Sequence, residues 1–455
     1  MIRRLMSIPV LVLVAGCHHG ARPRPAAEQF TMTTDGGWSW FQDERAIVDD
    51  NLLVVGAVAT GHEQADRRGN VEVHWRNLVT GESGTSILHE RLEADDHDAP
   101  GLLVLDDGRI LAVYTRHGRD SLIRMRRSML PGMASVWTAE TRVDAGPGAT
   151  AGVTYSNVYR IDQSDGTDRI YNFYRGEDWD PNAIVSENTG STWQPAGRLM
   201  TGPGRPYVRY AADNSKIHFM ASEQHPRDAD NSIWHGYLQD GKLYRSGGEV
   251  VGFLGSDPPR VEDYTPVFEG RPDAVAWPAD LVLDRNGSPV GVYTVQVDGA
   301  SRTRGTGGRD HRFRYARWIG DRWLDFEAGY AGRKLYAGED DYTGLAVVDP
   351  VDPRVIYVST DAHPRTGDPV VTESDGVRRR ELFQGMTYDG GRTWQWTPLT
   401  SESQADNIRP VAVAWGDDRT VLLWLHGTMR SYTDYDLEIR GRILDRRPDP
   451  DQESR

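Results

Sequence analysis

Apolar residues in this chain fall into short dense runs, each following a turn rich in Asp, Asn and Gly. The pattern recurs at Leu52–Ala59, Arg109–Tyr114, Arg169–Tyr174, Lys216–Ala221, Pro289–Val295, Arg354–Ser359 and Thr420–Leu425. Ahead of the turns lie further strand-like runs, among them Gly101–Leu105, Val208–Ala211, Asp280–Leu283, Leu345–Val348 and Pro410–Trp415. Such runs are too short for core helices and read as buried strands paired in hairpins. Successive units lie roughly 45 to 70 residues apart, the spacing of four-stranded propeller blades with variable outer loops. Seven units predict an all-β, seven-bladed β-propeller, with a six-bladed ring or a β-sandwich with long loops as the alternatives.

Three turns resemble Asp boxes, in which a carboxylate or amide caps backbone N–H groups and a Trp packs between strands. They are Thr387–Trp394, Ser186–Trp193 with Asn188 in the Asp place, and Thr33–Trp40 with Ser39 in the Thr place. Their expected role is structural. No Pro- or Ser-rich linker interrupts residues 30–445, so one propeller domain is expected there, followed by a charged tail, 446–455.

Composition narrows the class of partner. A net charge of −15 argues against nucleic acid or an anionic membrane surface. Only Lys216, Lys242 and Lys334 among the 52 basic residues are lysines. The N-terminus reads as an export signal over residues 1–16: Arg3 and Arg4, then an apolar run from Ile8 to Val14. Val14-Ala15-Gly16-Cys17 has the form of a bacterial lipobox, whose cysteine is lipidated and becomes the mature N-terminus. Cys17 is the only cysteine, which excludes an internal disulfide. Residues 17–29 would form a tether to the outer membrane, facing periplasm or medium, and a monomer is expected.

The chemistry emerges from spacing. His97 and His117 flank the turn at Asp107-Gly108, Tyr155 and Arg175 flank Asp165-Gly166, and Arg205 and His225 flank Asp213-Asn214. In each pair the partners are twenty residues apart, which makes them cross-strand neighbours at the open end of a hairpin. Tyr342, His363, Arg409 and His426 hold comparable positions in later units. Period-two alternation sets Arg205, Tyr207 and Arg209 on one strand face. All should converge on one end of the central channel. A single His or Arg at a strand end is usually structural, but core packing does not require matched His and Arg at repeated hairpin mouths. Asp95, Asp96 and Asp98 could orient the His97 ring or bind a metal, and Glu339-Asp340-Asp341 could hold a cation or act as a base.

Elimination at a uronic acid needs a base for the C5 proton, a cation for the carboxylate and an acid for the leaving oxygen. His and Tyr suit the proton transfers, and Arg binds a carboxylate through two N–H groups. His97, His117, Tyr155 and Arg175 form the candidate catalytic group. Arg205, Tyr207, Arg209, His225, Tyr342, His363, Arg409 and His426 are candidate substrate-binding residues. No pair of carboxylates of the kind glycosidases use stands out at the hairpin mouths. No cofactor is required, although a structural or carboxylate-bridging divalent cation is compatible with the residues.

Several segments resemble the BNR-4 repeat group: Trp40–Ala46, His97 with Asp107-Gly108-Arg109 and Tyr114–His117, and Tyr155 with Phe173–Gly176. Arg205-Pro206-Tyr207, His225-Pro226 and Tyr342-Thr343-Gly344 extend the likeness, which spans roughly residues 36–440. That group includes seven-bladed polysaccharide lyases of families 24 and 25 acting on ulvan. The resemblance implies paired catalytic histidines at His97 and His117, a proton-transferring Tyr155 and a carboxylate-neutralising Arg175, with Arg205 or Arg209 as alternatives for the last role. It implies an acidic, rhamnose-glucuronate polysaccharide as substrate. Because the group also contains hydrolytic propellers, an exo-rhamnosidase or sialidase-like hydrolase, or a non-catalytic glycan-binding propeller, stays open.

Overall fold

Every one of the seven apolar runs is the second strand of its own antiparallel sheet. The strands are Leu52–Val58, Ile110–Tyr114, Asp168–Arg175, Ile217–Ser222, Pro289–Gln296, Val355–Thr360 and Arg419–Ser431. Each lies between two strands of its blade and between two neighbouring blades, so both faces are covered. That is why these strands are continuously apolar rather than alternating. Ile110–Tyr114 and Ile217–Ser222, for example, are buried at every position.

The computed structural model describes residues 29–445 apart from 147, 151 and 300–305. The expected export signal, Cys17, nearly all of the tether and the charged tail lie outside the described residues. Six blades are built in chain order, spanning 46–89, 101–144, 154–198, 207–268, 275–332 and 346–398. The fourth carries six strands and the others four. The seventh takes three strands from Asp406–Trp415, Arg419–Ser431 and Asp434–Asp445. Its outermost strand is Gln29–Thr33, from the other end of the chain, paired antiparallel with Asp434–Asp445. This exchange closes the ring and removes the open edge that a linear series of sheets would leave. The protein is an all-β, seven-bladed propeller.

Two of the expected Asp boxes form. Asp389 Oδ1 accepts the Thr393 backbone N–H at 2.9 Å, and Asn188 Oδ1 accepts that of Thr192 at 2.8 Å. The Thr33–Trp40 segment departs from the expectation. Asp35 does not cap its own turn; its carboxylate accepts from the backbone N–H groups of Thr60 and Gly61, at 2.9 and 2.8 Å. The chain then runs from the closing strand across the first blade and into the channel. Gly37 pairs with Val58, Ser39 N–H donates to Asp96 O, and Asp43 pairs with Asn157. Gly101 is needed where this segment passes: an added Cβ would lie 2.7 Å from Asp43 O and 2.8 Å from Ser156 O.

Trp40 and Phe41 therefore do not pack between strands but fill the channel. Trp40 sits 5.0 Å from Trp277 and 5.1 Å from Tyr342, ring centre to ring centre, and Phe41 sits 4.7 Å from Tyr207 and 5.8 Å from Tyr155. This aromatic plug, built from one entering segment and four blades, is the floor on which the candidate site stands.

Candidate active site at the channel mouth

His97 and His117 meet as the twenty-residue spacing requires. The strands Gly101–Val104 and Ile110–Tyr114 pair Gly101 with Val113, and the same register continued outward sets His97 opposite His117. Their rings stack with centroids 3.9 Å apart and planes inclined by 11°. His97 lies on a short 3-10 turn, Asp96–Asp98, capped by Asp95, whose carboxylate accepts the His97 backbone N–H.

One carboxylate serves both rings. Asp95 Oδ1 lies 2.7 Å from His97 Nδ1, and Asp95 Oδ2 lies 2.8 Å from His117 Nδ1. Asp96 Oδ1 is a second anion 2.8 Å from His97 Nδ1. Two charged imidazoles this close would repel by about 4 kcal/mol at an effective dielectric of ~20, so one of them stays neutral. The neighbours decide which. Burial opposes charge on His97, but the carboxylates of Asp95 and Asp96 outweigh it and raise His97 to about 9. Burial, together with the charge of His97, lowers His117 to about 4. Burial also works against the Asp95 carboxylate, yet the two imidazoles hold it well below the usual carboxylate range.

At neutral pH the stack is therefore an imidazolium on an imidazole. With Nδ1–H of His117 turned to Asp95, its Nε2 carries the lone pair. Arg175 Nη2 lies 3.4 Å from that Nε2, and Arg175 Nη1 donates to the Tyr207 hydroxyl, also at 3.4 Å. The guanidinium is 4.9 Å from the centre of the Tyr155 ring. Tyr155 stands 5.3 Å from His97 at a bulge of its strand, with φ of +70°. Burial pushes its phenol well above 10, so it keeps its proton. Tyr432, at the tip of the seventh blade, closes the other side, 5.2 Å from His97 and 5.4 Å from His117.

The structure thus gathers His97, His117, Tyr155, Arg175 and Tyr207 into one contiguous group. Tyr342 and His225 adjoin it: His225 is 5.5 Å from Tyr207, 4.9 Å from Trp277 and 6.3 Å from Tyr342. Arg205 is half-buried, 3.8 Å from Asp228. Arg409 and Arg209 are placed differently. Arg409 is buried with its guanidinium on Asp96 Oδ2 and Trp38 O, both at 2.5 Å. Arg209 bonds to Trp40 O and reaches Asp43 at 2.8 Å and Asp280 at 3.0 Å, further along the channel. His426 Nδ1–H donates to Asn407 Oδ1 at 2.9 Å, and His363 packs 5.8 Å from Phe383; neither ring touches the His97–His117 group.

The acidic cluster is internally answered: Glu339 by Arg227, Asp340 by Lys334 at 2.7 Å. Burial, with those two carboxylates beside it, raises Asp341 to about 7. Asp95, His97 and His117 also bring possible ligand atoms within 4.8 Å of one another, the only such metal-competent group among the described residues. Trp40 and Phe41 enter the sequence reading only through a turn motif and a family-like segment, and Trp277 and Tyr432 do not enter it. Tyr432 carries no signal there, and Trp40 was disguised by its Asp-box surroundings.

A propeller whose plugged channel opens on His, Tyr and Arg side chains is the class that fold and site define. The chain matches the model for BNR repeat-containing family members over residues 58–328, more than half of its length, and belongs to that family. Among solved structures it is similar to the ulvan lyase of polysaccharide lyase family PL25, bound to -[GlcA(1-4)Rha3S]-, at 14% identity and a TM-score of 0.59. That match covers 90% of this chain and 95% of the other. It is also similar to an α-L-arabinanase of Penicillium chrysogenum, at 15% identity and a TM-score of 0.41, covering 76% of this chain and 92% of that one. No curated protein matches the chain in sequence.

Proposed function

We propose that the protein is a polysaccharide lyase that cleaves beside a uronic acid by β-elimination. The observation that carries this reading is the stacked histidine pair sharing the Asp95 carboxylate, with Arg175 against His117 Nε2. Elimination must acidify the C5 proton before removing it, and cations at the carboxylate do that by stabilising the enolate. Arg175 and the His97 imidazolium supply two such charges. His117 Nε2 accepts the C5 proton. The C4–O bond breaks as the C4=C5 double bond forms, and Tyr155, which holds its proton, delivers it to the departing oxygen. A solved ulvan lyase with the same overall fold supports a glucuronate-rhamnose polymer as the substrate class.

Incubation with a panel of uronate polysaccharides, ulvan among them, tests the reading. Elimination gives an unsaturated uronyl end that absorbs in the ultraviolet together with a new reducing end. Reducing ends without that absorbance would mean hydrolysis and would sink the proposal. We further propose export and anchoring through lipidated Cys17, which incorporation of labelled palmitate, abolished in Cys17→Ser, would verify.

A further inference from the structure

Of the fourteen tryptophans in the chain, Trp179 alone is exposed, at 42%. It follows Arg175 by four residues, at the end of a single 3-10 turn, Glu177–Trp179. Its backbone is in the left-handed region, with φ of +67°, and so is that of Asp178, with φ of +55°. Two successive non-glycine residues in that region are unfavourable and persist only where the surroundings impose them. Here they are imposed. Gly176 N–H donates to Asp180 O at 3.1 Å, and Arg198 clamps Asp178 at 2.7 Å and Asp180 at 3.2 Å.

Strain of this kind normally serves to bury a side chain or to aim one. The Trp179 ring is not buried. It is aimed: the Arg175 guanidinium carbon lies 5.3 Å from the ring centre, and the same guanidinium reaches Tyr155 and His117. Tyr432 stands against His97 and His117. The catalytic group is thus bracketed by rings from the third and seventh blades. A flat, half-exposed indole beside a bound anion suits the C–H face of a pyranose, which gains dispersion and apolar burial by stacking.

We propose that Trp179 is the platform of a sugar-binding subsite that takes the residue adjacent to the uronate held at Arg175. The proposal rests on the lyase reading for the identity of its ligand. Trp179 gives the polymer its register on the mouth, so that the bond to be cleaved falls between the indole and the histidine pair.

The test uses two readouts. In steady-state assays on the polymer, Trp179→Ala should raise KM about tenfold, equivalent to about 1.4 kcal/mol, while kcat is nearly kept; Trp179→Phe should recover most of the loss. In titration calorimetry, His117→Ala should bind a glucuronate-rhamnose hexasaccharide about tenfold more tightly than His117→Ala/Trp179→Ala does, by the same arithmetic. A fall in kcat at unchanged KM would show that Trp179 only positions Arg175, and would overturn the subsite. Equal affinities in the calorimeter would overturn it too, with the lyase reading intact if the wild type still releases unsaturated ends. Wild-type protein that releases none, yet loses hexasaccharide affinity with Trp179, would overturn the lyase reading and leave the subsite standing.

Discussion

The mouths of the second and third blades and the mouth of the seventh are built from similar residues at similar spacing, yet they end in opposite states. His97, His117 and Arg175 turn toward one another, and the His117 ring stays partly accessible, at 23%. Arg409 and His426 are each absorbed by a structural partner, Asp96 in one case and Asn407 in the other. The cause is local register. In the seventh blade Asn407 pairs directly across from His426, so the ring finds an amide oxygen at hand. A bulge between Ile408 and Val411 then turns Arg409, at φ of +50°, into the channel and onto Asp96. In the third blade a bulge at the corresponding level turns Tyr155 toward His97 instead. Similar hairpins thus deliver one blade's polar groups to the candidate site and another's to structural partners beside it.

The largest effect is expected at the histidine stack. His117→Ala should lower kcat/KM by about 10²–10⁴-fold, the range of a lost general base, with the thermal midpoint nearly unchanged. Arg409→Ala should do the reverse in emphasis. It strips the buried Asp96 carboxylate of its guanidinium and leaves only His97 beside it, and unfolding in denaturant should register about 3 kcal/mol of lost stability. Activity should fall with it, because Asp96 also faces the His97 ring.

The third expectation concerns pH. The proposed elimination requires His117 neutral and His97 charged. Activity should therefore be lost on the acid side as His117 gains a proton near 4, and on the alkaline side as His97 loses one near 9. Asp95 holds His97 up, so Asp95→Asn should draw the alkaline limb of the kcat/KM profile down toward the ordinary histidine value. An unmoved limb would show that another group sets it. The smallest effect belongs to His426→Ala, which strips one hydrogen bond from Asn407 while Trp424 still donates to the same oxygen. It should cost about 1 kcal/mol in stability and leave the rate on polymer unchanged.

Much of the fold was legible in the residues because a strand covered on both faces must be apolar throughout, and the turn before it must be polar. That rule located all seven second strands, and antiparallel register alone brought His97 to His117. The same reasoning misjudged Thr33–Trp40. Its spacing of Thr, Asp and Trp imitates an Asp box, but Asp35 finds Thr60 and Gly61 on a neighbouring blade, and the tryptophan goes to the channel. Nothing local distinguishes the two outcomes, since the deciding partners lie 25 and 26 residues away. Tyr432 and Trp179 were invisible for a related reason: each matters through what another blade, or a strained turn, sets beside it.

The blade count, the inner hairpins and the pairing of the two histidines follow from periodicity and short-range register along the chain. The fold in three dimensions settles which histidine the surrounding carboxylates favour in its charged form, which arginine joins the histidine pair and which is held on Asp96, and that Trp40 and Phe41 plug the channel. Those outcomes depend on burial and on charges contributed by distant blades, whose free energies act through space and leave no mark on the order of residues along the chain.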